Sequence, residues 1–264
     1  MTEVGAGTDT GVSRAEVCAV ACAEAFRGDG EIIASPFGTI PAVGARLARL
    51  TFEPDLVLTD GEAALMANTP AIDSARDDMV IEAWLPYRRV FDVVWSGRRH
   101  VMMMATQVDR YGNQNISCIG DWKRPKTQLI GVRGAPGNTV NHTTSYWVPA
   151  HSPRSFVERV DVVCGVGYDR ASEAGPVASR FHEIRVVVSN LGVFDFDTPD
   201  HRMRVRSLHP GVTLSEVEEA TGFELARAEG RAEIEESRLP TPEELSFIRE
   251  VLDPRSLRDR EISS

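Results

Sequence analysis

The chain alternates between two patterns of hydrophobic positions, one with helical spacing and one made of short continuous apolar runs. Ser13 and Glu16 form the sequence signature of a capping box, and Gly28 is a typical helix stop. Between them, apolar residues recur at helical spacing, at Val17, Val20, Ala21 and Ala25. This pattern predicts a first helix over residues 13–27.

Short apolar runs between the helical segments predict buried strands. The Met-rich run at 101–105 is interpreted in the same way, because Met at this spacing is more typical of a buried strand than of a cofactor contact. Strands are predicted at 31–34, 56–58, 101–105, 127–132, 160–164, 184–189 and 203–207. Further helices are predicted to end near Leu50, to span 86–94, and to begin at Thr213 and Thr241, where the sequence has capping chemistry.

Apolar runs that alternate with helices indicate an α/β fold with an open, mainly parallel sheet covered by helices on both faces. In such folds ligands bind beyond the carboxyl ends of the strands. Polar segments follow three predicted strands, at 59–62, 107–115 and 133–145, so we expect the site there. The 264 residues are interpreted as one domain, 1–264, in which residues 1–12 are expected to be flexible.

Composition narrows the class of protein. Apolar residues make up 42% of the chain and charged residues 26%, as in ordinary globular proteins. The formal charge of -10 argues against a nucleic-acid partner. The N-terminal residues lack a signal-peptide core and no apolar run reaches about 18 residues, so no membrane association is expected. The cysteines lack metal-site spacing, so we expect no metal, buried thiols and a cytoplasmic location for Cys18, Cys22, Cys118 and Cys164.

Cationic residues are denser between Arg88 and Arg133 than elsewhere in the chain. A solvated surface is one interpretation, since charge runs on surfaces are common. A site for an anionic ligand is the other, and the sequence leaves both open. The stretch contains Arg88, Arg89, Arg98, Arg99, Lys123, Arg124, Lys126 and Arg133.

Carboxylates are the first candidates for chemistry, because the chain has no serine-hydrolase elbow, zinc-peptidase motif or nucleotide-binding loop. Asp60 and Glu62 follow the predicted strand at 56–58, where a desolvated carboxylate can act as a base or a nucleophile. The alternative is a turn-forming Asp beside a solvated Glu.

The segment at 107–115 supplies a second set of candidates. Gln107, Asp109 and Asn113 are expected to lie near one another, and amides of this kind can hydrogen-bond a carbonyl as an oxyanion forms. The alternative is that residues 111–113 are only the turn of a hairpin.

A third set lies in the segment at 133–145. Gly137 and Asn138 belong to a Gly-rich stretch, 134–138, whose backbone is expected to be a flexible loop able to approach a ligand closely. His142 follows as a candidate substrate contact. The alternatives are an ordinary surface loop and a histidine without a role in the chemistry.

Several motifs together resemble the beta subunits of the class I coenzyme A transferase family, especially the glutaconate type. Their order and spacing extend over nearly the whole chain. The motifs are Val108-Asp109-Arg110-Tyr111-Gly112-Asn113 with Asn115, Leu208-His209-Pro210-Gly211-Val212-Thr213, Glu219-Ala220-Thr221-Gly222-Phe223, Pro240-Thr241-Pro242-Glu243-Glu244-Leu245 and Leu252-Asp253-Pro254.

The resemblance implies an open α/β sheet, a partner alpha subunit, two copies of each chain and a site between unlike subunits. In the transferases a beta-chain glutamate within a Ser-Glu-Asn-Gly turn attacks the thioester. This chain has Thr59-Asp60-Gly61-Glu62 at the matching place, so Asp60 takes the position of the nucleophile. Asp is one methylene shorter than Glu, and covalent attack tolerates little misplacement. The family's Gly-rich oxyanion loop is also altered, to Arg133-Gly134-Ala135-Pro136-Gly137-Asn138.

With these departures the chain looks like the steroid ring-cleaving branch of the family. That resemblance implies a hydrolase that opens a cyclic keto acyl-CoA from the last rings of cholesterol by retro-Claisen water addition. Coenzyme A is then part of the substrate, and no separate cofactor is expected. The base is either Asp60 or a group of the alpha chain, while Gln107, Asn113 and residues 137–145 shape the pocket. Two alternatives are a transferase with a carboxylate–CoA thioester on Asp60 or Glu62, and a non-catalytic ligand-binding or scaffolding subunit.

Overall fold

The computed structural model of the protein describes residues 11–61, 63–227 and 234–262. Glu62 and most of the segment 1–12 therefore lie outside the described residues. The strands are β1 (Ile33–Pro36), β2 (Leu58–Thr59), β3 (Ala64–Met66), β4 (Ile81–Trp84), β5 (Arg99–Met104), β6 (Gln107–Val108), β7 (Gln114–Asn115), β8 (Cys118–Ile119), β9 (Thr127–Gln128), β10 (Thr143–Val148), β11 (Glu183–Ser189), β12 (Gly192–Asp195), β13 (Arg204–Leu208) and β14 (Glu235–Glu236).

Helices precede β1, follow β14 and lie in five of the connections between consecutive strands of the described residues. They are α1 (Arg14–Glu24), α2 (Thr39–Thr51), α3 (Tyr87–Ser96), α4 (Ala135–Asn141), α5 (Tyr168–Glu173), α6 (Pro176–Ser179), α7 (Leu214–Glu219) and α8 (Pro242–Ser246). Short 3-10 segments span Arg76–Asp78 and Leu257–Arg260, and a π-helical segment spans Phe247–Leu252. No helix of the described residues is long and apolar enough to cross a membrane.

The main sheet has seven strands within the described residues, in the order β1-β5-β10-β11-β12-β13-β14. The first four are parallel neighbours, β12 runs antiparallel to both of its neighbours, and β14 is parallel to β13. Smaller sheets comprise β2-β3-β4, β6-β7 and β8-β9. The prediction of an open, mainly parallel α/β sheet is confirmed.

Apolar side chains of the central strands alternate between two cores, one on each face of the sheet. Met102 and Trp147 pack under α1 and α2, whereas Met103 and Tyr146 belong to the core on the opposite face. The helices α1 and α2 approach each other closely at Gly44, where an added Cβ would lie 2.9 Å from the carbonyl oxygen of Ala19. Glycine is therefore required for this contact.

The predicted helix starts are confirmed. Ser13, Thr213 and Thr241 each form a capping box with the glutamate three residues later. The first helix ends at Glu24, three residues before its predicted end. All four cysteines are free thiols and are buried, as expected.

Two of the strand predictions are wrong. Only Thr127–Gln128 of the segment 127–132 is a strand, and it is an exposed edge that pairs with Cys118–Ile119. Residues 160–164 form an irregular segment, although Val160 and Cys164 are buried. A short apolar run indicates that a segment is buried. Periodicity alone does not show whether that buried segment pairs with a strand.

The flexible loop predicted at 134–138 is also wrong, because α4 begins at Ala135 with a proline in its first turn. Its Gly137 packs against Val94 of α3, where an added Cβ would lie 3.2 Å from Cγ1. The segment 133–145 thus leads into the amino end of β10 and does not leave the carboxyl end of a strand. The three polar segments consequently do not share one edge of the sheet.

The predicted strand at 56–58 marks where the chain leaves the main sheet. Val57 pairs with Ile33 beside β1, and its carbonyl oxygen accepts a hydrogen bond of 3.0 Å from the Ala34 amide. β2 then turns antiparallel to β3, with Leu58 opposite Met66. Asp60 lies in the tight connection between these two strands. The divergence opens a cleft beside β1.

Candidate active site

The cleft beside β1 has a volume of about 390 Å³, which is within the usual range of small-molecule sites. Its apolar lining comes mainly from β1, α3 and the residues that precede α3. Its polar lining comes from β1, β5, α2 and the β2–β3 turn. Its polar side chains are Ser35, Arg46, Thr59, Asp60 and Arg99.

Asp60 holds the β2–β3 turn and also lines the cleft. Its Oδ1 accepts hydrogen bonds from the backbone amides of Ala63 and Ala64, at 2.9 and 3.0 Å. Gly61 has a φ of 86° there, a left-handed conformation that glycine adopts without strain. The turn-forming interpretation of Asp60 is therefore correct for this oxygen, and the carboxyl group still borders the cleft.

Arg99 is the central polar residue of the site. It begins β5 opposite Ile33 of β1, so its side chain lies on the same face as Ser35, two residues further along β1. Its Nε donates to Ser35 Oγ at 2.9 Å and its Nη1 donates to Asn138 Oδ1 at 3.1 Å. Burial lowers the pKa of the guanidinium to about 10. Arg99 thus joins the cleft to helix α4.

Asn138 and His142 form a buried pair behind Arg99. Asn138 donates from Nδ2 to the sulfur of Met103 at 3.4 Å, and its Oδ1 lies 3.2 Å from His142 Nε2. The other ring nitrogen, Nδ1, lies 3.1 Å from the Thr143 carbonyl oxygen, so both nitrogens of His142 face acceptors and the neutral ring donates to one of them. Burial lowers the pKa of His142 to about 4, and the charge of Arg99 acts in the same direction. The imidazole is therefore neutral at pH 7. Its Nε2 lies against the side-chain oxygen of Asn138, the same oxygen that accepts from Arg99.

The depressed pKa of His142 makes stability pH-dependent. The folded state binds this proton only below about pH 4, whereas the unfolded chain binds it below its ordinary pKa of about 6.5, so acid favours unfolding between these values. A shift of this size corresponds to about 3 kcal/mol, fully present above pH 6.5 and lost towards pH 4. In urea titrations at pH 7 and pH 4.5, His142→Gln should lose less stability on acidification than the parent. Equal losses would contradict this account.

Gln107, Asp109 and Asn113 are buried in the hairpin formed by β6 and β7, and none of the three lines the cleft. Asn113 Nδ2 donates to Asp109 Oδ2 at 3.0 Å and to Asp169 Oδ1 at 2.8 Å, while its Oδ1 accepts from the Gly167 amide at 2.8 Å. The structure thus brings Asp109 and Asn113 together, as expected. It also shows the hairpin that the alternative interpretation predicted.

Gln107 belongs to a separate part of this hairpin. Its Oε1 accepts from Asn115 Nδ2 at 2.7 Å, and its Nε2 donates to Asp161 at 3.1 Å. Burial raises the pKa of Asp109 to about 6, and hydrogen bonds from Asn113 and from backbone amides oppose that effect. These polar groups satisfy one another, which is how buried polar groups usually occur.

A third buried cluster has the connectivity of a catalytic triad. His100 Nδ1 lies 2.6 Å from Asp29 Oδ2, and its Nε2 lies 2.9 Å from Ser145 Oγ. Both His100 and Ser145 are completely buried, and Phe26 packs against the imidazole. An acyl group cannot reach Ser145 in this arrangement. The cluster therefore joins the loop after α1 to β5 and β10 and does not form a hydrolytic site.

Sequence reasoning found Arg99 only as one of eight cations and did not single out Arg46. The signal was present in the stretch 88–133, where the surface interpretation holds for seven exposed cations. Two other cations of the stretch, Arg99 and Arg110, are half-buried; Arg110 pairs with Glu158, whereas Arg99 lines the cleft. Arg46 carried no local signal, because an arginine in an amphipathic helix is ordinarily solvated.

The mainly parallel sheet and the Asp60 turn define a beta-type chain of the coenzyme A transferase class. In agreement, a 3-oxoadipate CoA-transferase chain of Pseudomonas knackmussii is 30% identical over 237 residues, which cover 80% of this chain and 82% of that one. No protein-family model matches the chain. The resemblance drawn from the sequence motifs is confirmed.

A much closer relative is the cholesterol ring-cleaving hydrolase IpdB subunit of Rhodococcus jostii RHA1. It is 59% identical over 256 residues, which cover 97% of this chain and 98% of the relative. The crystal structure of Rhodococcus jostii RHA1 IpdAB matches with a TM-score of 0.91 over 97% of this chain and 100% of that chain. The protein belongs to the family of cholesterol ring-cleaving hydrolase IpdB subunits.

Proposed function

We propose that this chain is the beta-type subunit of a heteromeric cytoplasmic hydrolase that opens a carbon ring of a cyclic keto acyl-CoA during breakdown of the steroid C and D rings. The observation that carries the proposal is the 59% identity to an IpdB subunit over nearly the full length of both chains. Coenzyme A enters as part of the substrate, and no separate cofactor takes part.

The geometry of Asp60 supports hydrolysis over coenzyme A transfer. A transferase nucleophile must place a carboxylate oxygen against the thioester carbon, and small displacements there greatly slow attack. Asp60 has the shorter side chain, and its Oδ1 is held by the amides of Ala63 and Ala64. This attachment to the turn leaves the Asp60 carboxylate little freedom to reach the carbonyl carbon of a thioester.

Ring opening by water needs a base and a group that holds the developing enolate. Water attacks the ring ketone, the bond to the neighbouring carbon breaks, and its electrons pass into the thioester as an enolate that is then protonated. The ketone carbon becomes a carboxylate. Asp60 and the cation Arg99 border the same cleft, so this chain supplies groups of both signs. The base is Asp60 or a carboxylate of the partner chain.

An exposed aromatic surface beside the cleft supports a partner subunit. We call it the aromatic face, and it consists of Trp84 of β4 and Tyr87, Phe91 and Trp95 of α3, each at least half exposed. Large exposed apolar patches of this kind mark interaction sites. Since Val90 and Val93 of the same helix line the cleft, a subunit seated on this face would also close the site. We propose an alpha subunit there, in an assembly of two alpha and two beta chains.

The test is co-expression with an alpha-type chain, followed by assay of the purified complex with cyclic keto acyl-CoA in ¹⁸O-labelled water. We expect ring opening with one labelled oxygen in the new carboxylate. A coenzyme A adduct on Asp60 or Glu62, found by mass spectrometry during turnover, would establish the transferase alternative instead. Absence of ring opening with a panel of steroid-derived cyclic acyl-CoAs would reject the proposal.

Asp60→Asn is the matched variant for this assay, because Asn keeps an oxygen that can accept from Ala63 and Ala64 while the charge is lost. If Asp60 is the base, turnover should fall by about 10²- to 10⁴-fold with unchanged thermal stability. Turnover equal to that of the parent would assign the base to the partner chain. Unchanged turnover in Asn113→Ala as well would favour the scaffolding alternative for this chain.

A further inference from the structure

Two half-buried guanidinium groups line the cleft without a carboxylate partner. Arg46 and Arg99 form no ion pair with any residue of 11–61, 63–227 or 234–262. Within the part of the chain that the structure describes, Arg46 donates to the carbonyl oxygens of Pro70 and Ala42. Arg99 donates there to the neutral side chains of Ser35 and Asn138. Burial lowers the pKa of each to about 10, which leaves both cationic at neutral pH.

Uncompensated cations in a cleft are costly, because desolvation removes water that would stabilise the charge. Proteins usually place such a charge beside an acidic side chain, as this chain does with Arg258 and Glu16, 3.0 Å apart. In the cleft the described partners are neutral oxygens, and the Nη2 atom of each guanidinium makes no hydrogen bond within the described residues. An anion in the cleft would supply the missing charge and accept from these donors.

Arg99 is also held in place before any ligand binds. Ser35 and Asn138 accept hydrogen bonds from its Nε and Nη1, and the buried His142 packs against the amide of Asn138. A fixed guanidinium loses little side-chain entropy when it binds an oxyanion, which favours a recognition role over a solvated one. Seven other cations of the stretch 88–133 are exposed and the half-buried Arg110 pairs with the Glu158 carboxylate, so the attachment to neutral partners distinguishes Arg99.

The walls of the cleft limit what the anion can be. Part of the lining is apolar and consists of Ile33, Phe37, Leu85, Val90 and Val93. Its volume of about 390 Å³ suits a ring-sized group and is small for a whole coenzyme A nucleotide. A hydrocarbon portion that carries one anionic oxygen group matches both the apolar lining and the two arginines.

We propose that Arg46 and Arg99 form a subsite for an anionic oxygen group of the acyl portion of the substrate. The group is either a free carboxylate carried by the acyl portion or the enolate oxygen that forms during ring opening. The assignment deepens the proposed function and rests on it for the nature of the acyl-CoA. It makes the acyl portion, and not the nucleotide, the ligand of the two arginines.

The test compares Arg99→Met, Arg46→Met and Arg98→Met in the purified complex. Arg98 precedes Arg99, is exposed, and provides the same change of residue and charge outside the cleft. We expect Arg99→Met to lower kcat/KM for cyclic keto acyl-CoA by about 10- to 100-fold, Arg46→Met to act in the same direction, and Arg98→Met to have less than about a threefold effect. Affinity for free coenzyme A should change by less than about threefold in all three.

The two sources of the anion are separated with a substrate pair, one with a free carboxylate and one with its methyl ester. If Arg99→Met lowers kcat/KM for the carboxylate substrate alone, mainly through a higher KM, the anion is the carboxylate. If Arg99→Met lowers kcat/KM equally for both substrates, mainly through a lower kcat, the anion is the enolate oxygen. If Arg99→Met lowered the affinity for free coenzyme A as much as it lowered kcat/KM, a nucleotide phosphate would lie at Arg99 and the proposal would be overturned. Equal effects of Arg98→Met and Arg99→Met on kcat/KM would overturn it as well.

A binding measurement keeps this inference distinct from the proposed reaction. Glutarate is the probe, with its neutral diamide as control, and calorimetry on the complex is the readout. We expect weak glutarate binding by the parent and by Arg98→Met, at least tenfold weaker binding by Arg99→Met, and none of the diamide. This result would support the subsite even if no ring opening were found. Failure of the parent to prefer glutarate over the diamide, together with unchanged kinetics in Arg99→Met, would overturn it.

Discussion

Replacement of Arg258 by Met is expected to lower the free energy of unfolding by about 3 kcal/mol, because buried Asp253 loses its guanidinium partner while Glu16 keeps its pair with Arg249. Its guanidinium donates to Glu16 Oε1 and to Asp253 Oδ2, both at 3.0 Å. The side chains of Arg258, Glu16 and Asp253 are only 5%, 2% and 0% exposed. Urea denaturation of parent and variant at pH 7 measures the difference.

Arg249→Met is the control for this prediction, because Arg249 donates to the same Glu16 carboxylate at 2.6 Å but is 43% exposed. The guanidinium of Arg249 is partly solvated and Glu16 keeps its buried partner Arg258, so we expect a loss of about 1 kcal/mol. Equal losses in the two variants would show that burial does not set the strength of this pair. The Arg258 variant should also loosen the C-terminal segment, where Glu261 accepts from the Ile40 amide at the start of α2 at 2.6 Å.

Asn113→Ala is expected to lower the free energy of unfolding by about 3–5 kcal/mol, because it leaves several buried polar groups without partners. Asp109 and Asp169 would both lose the Nδ2 donor, and the Gly167 amide would lose its acceptor. Gly167 packs directly on this residue, because the backbone nitrogen of Asn113 would lie only 2.5 Å from a Cβ added at Gly167. Thermal and urea unfolding measure the loss.

Asn141→Ala is the matched control, because Asn141 makes a single side-chain hydrogen bond, to the Gly137 carbonyl oxygen at 2.7 Å, and is half-buried. We expect it to cost about 1 kcal/mol. A loss below about 1 kcal/mol in Asn113→Ala would contradict the structural account of the Asp109 cluster. Turnover of Asn113→Ala must be expressed per folded complex, so that lost stability is not counted as lost catalysis.

Elements with both a local signal and a buried face were predicted well. The first helix has a capping box and apolar residues at helical spacing, and it begins at Arg14 as the Ser13 signal indicates. The strand predicted at 184–189 spans Glu183–Ser189. In both cases the local preference and the tertiary packing favour the same structure, which is typical of sequences that fold to a single structure.

Elements that depend on a distant partner were predicted poorly. The run at 160–164 is apolar because Val160 and Cys164 pack in the core, yet none of its residues belongs to a named strand. The segment 134–138 contains two glycines and a proline, and it is helical because α4 packs against α3 and β10. Intrinsic preferences of single residues are weak enough for such contacts to override them.

The sequence by itself determined the fold class, the helix starts, the family and the Asp60 turn, because each depends on residue types at short spacing or on motifs in a fixed order. Only the tertiary structure decided that Arg46 and Arg99 share the cleft with Asp60, and that Asp109 and Asn113 satisfy each other in a buried hairpin outside that cleft. The physical reason is that burial and the pairing of charges depend on which distant segments meet. A linear sequence shows a cation in a basic stretch, and only the folded chain shows which cation is desolvated without a counter-charge.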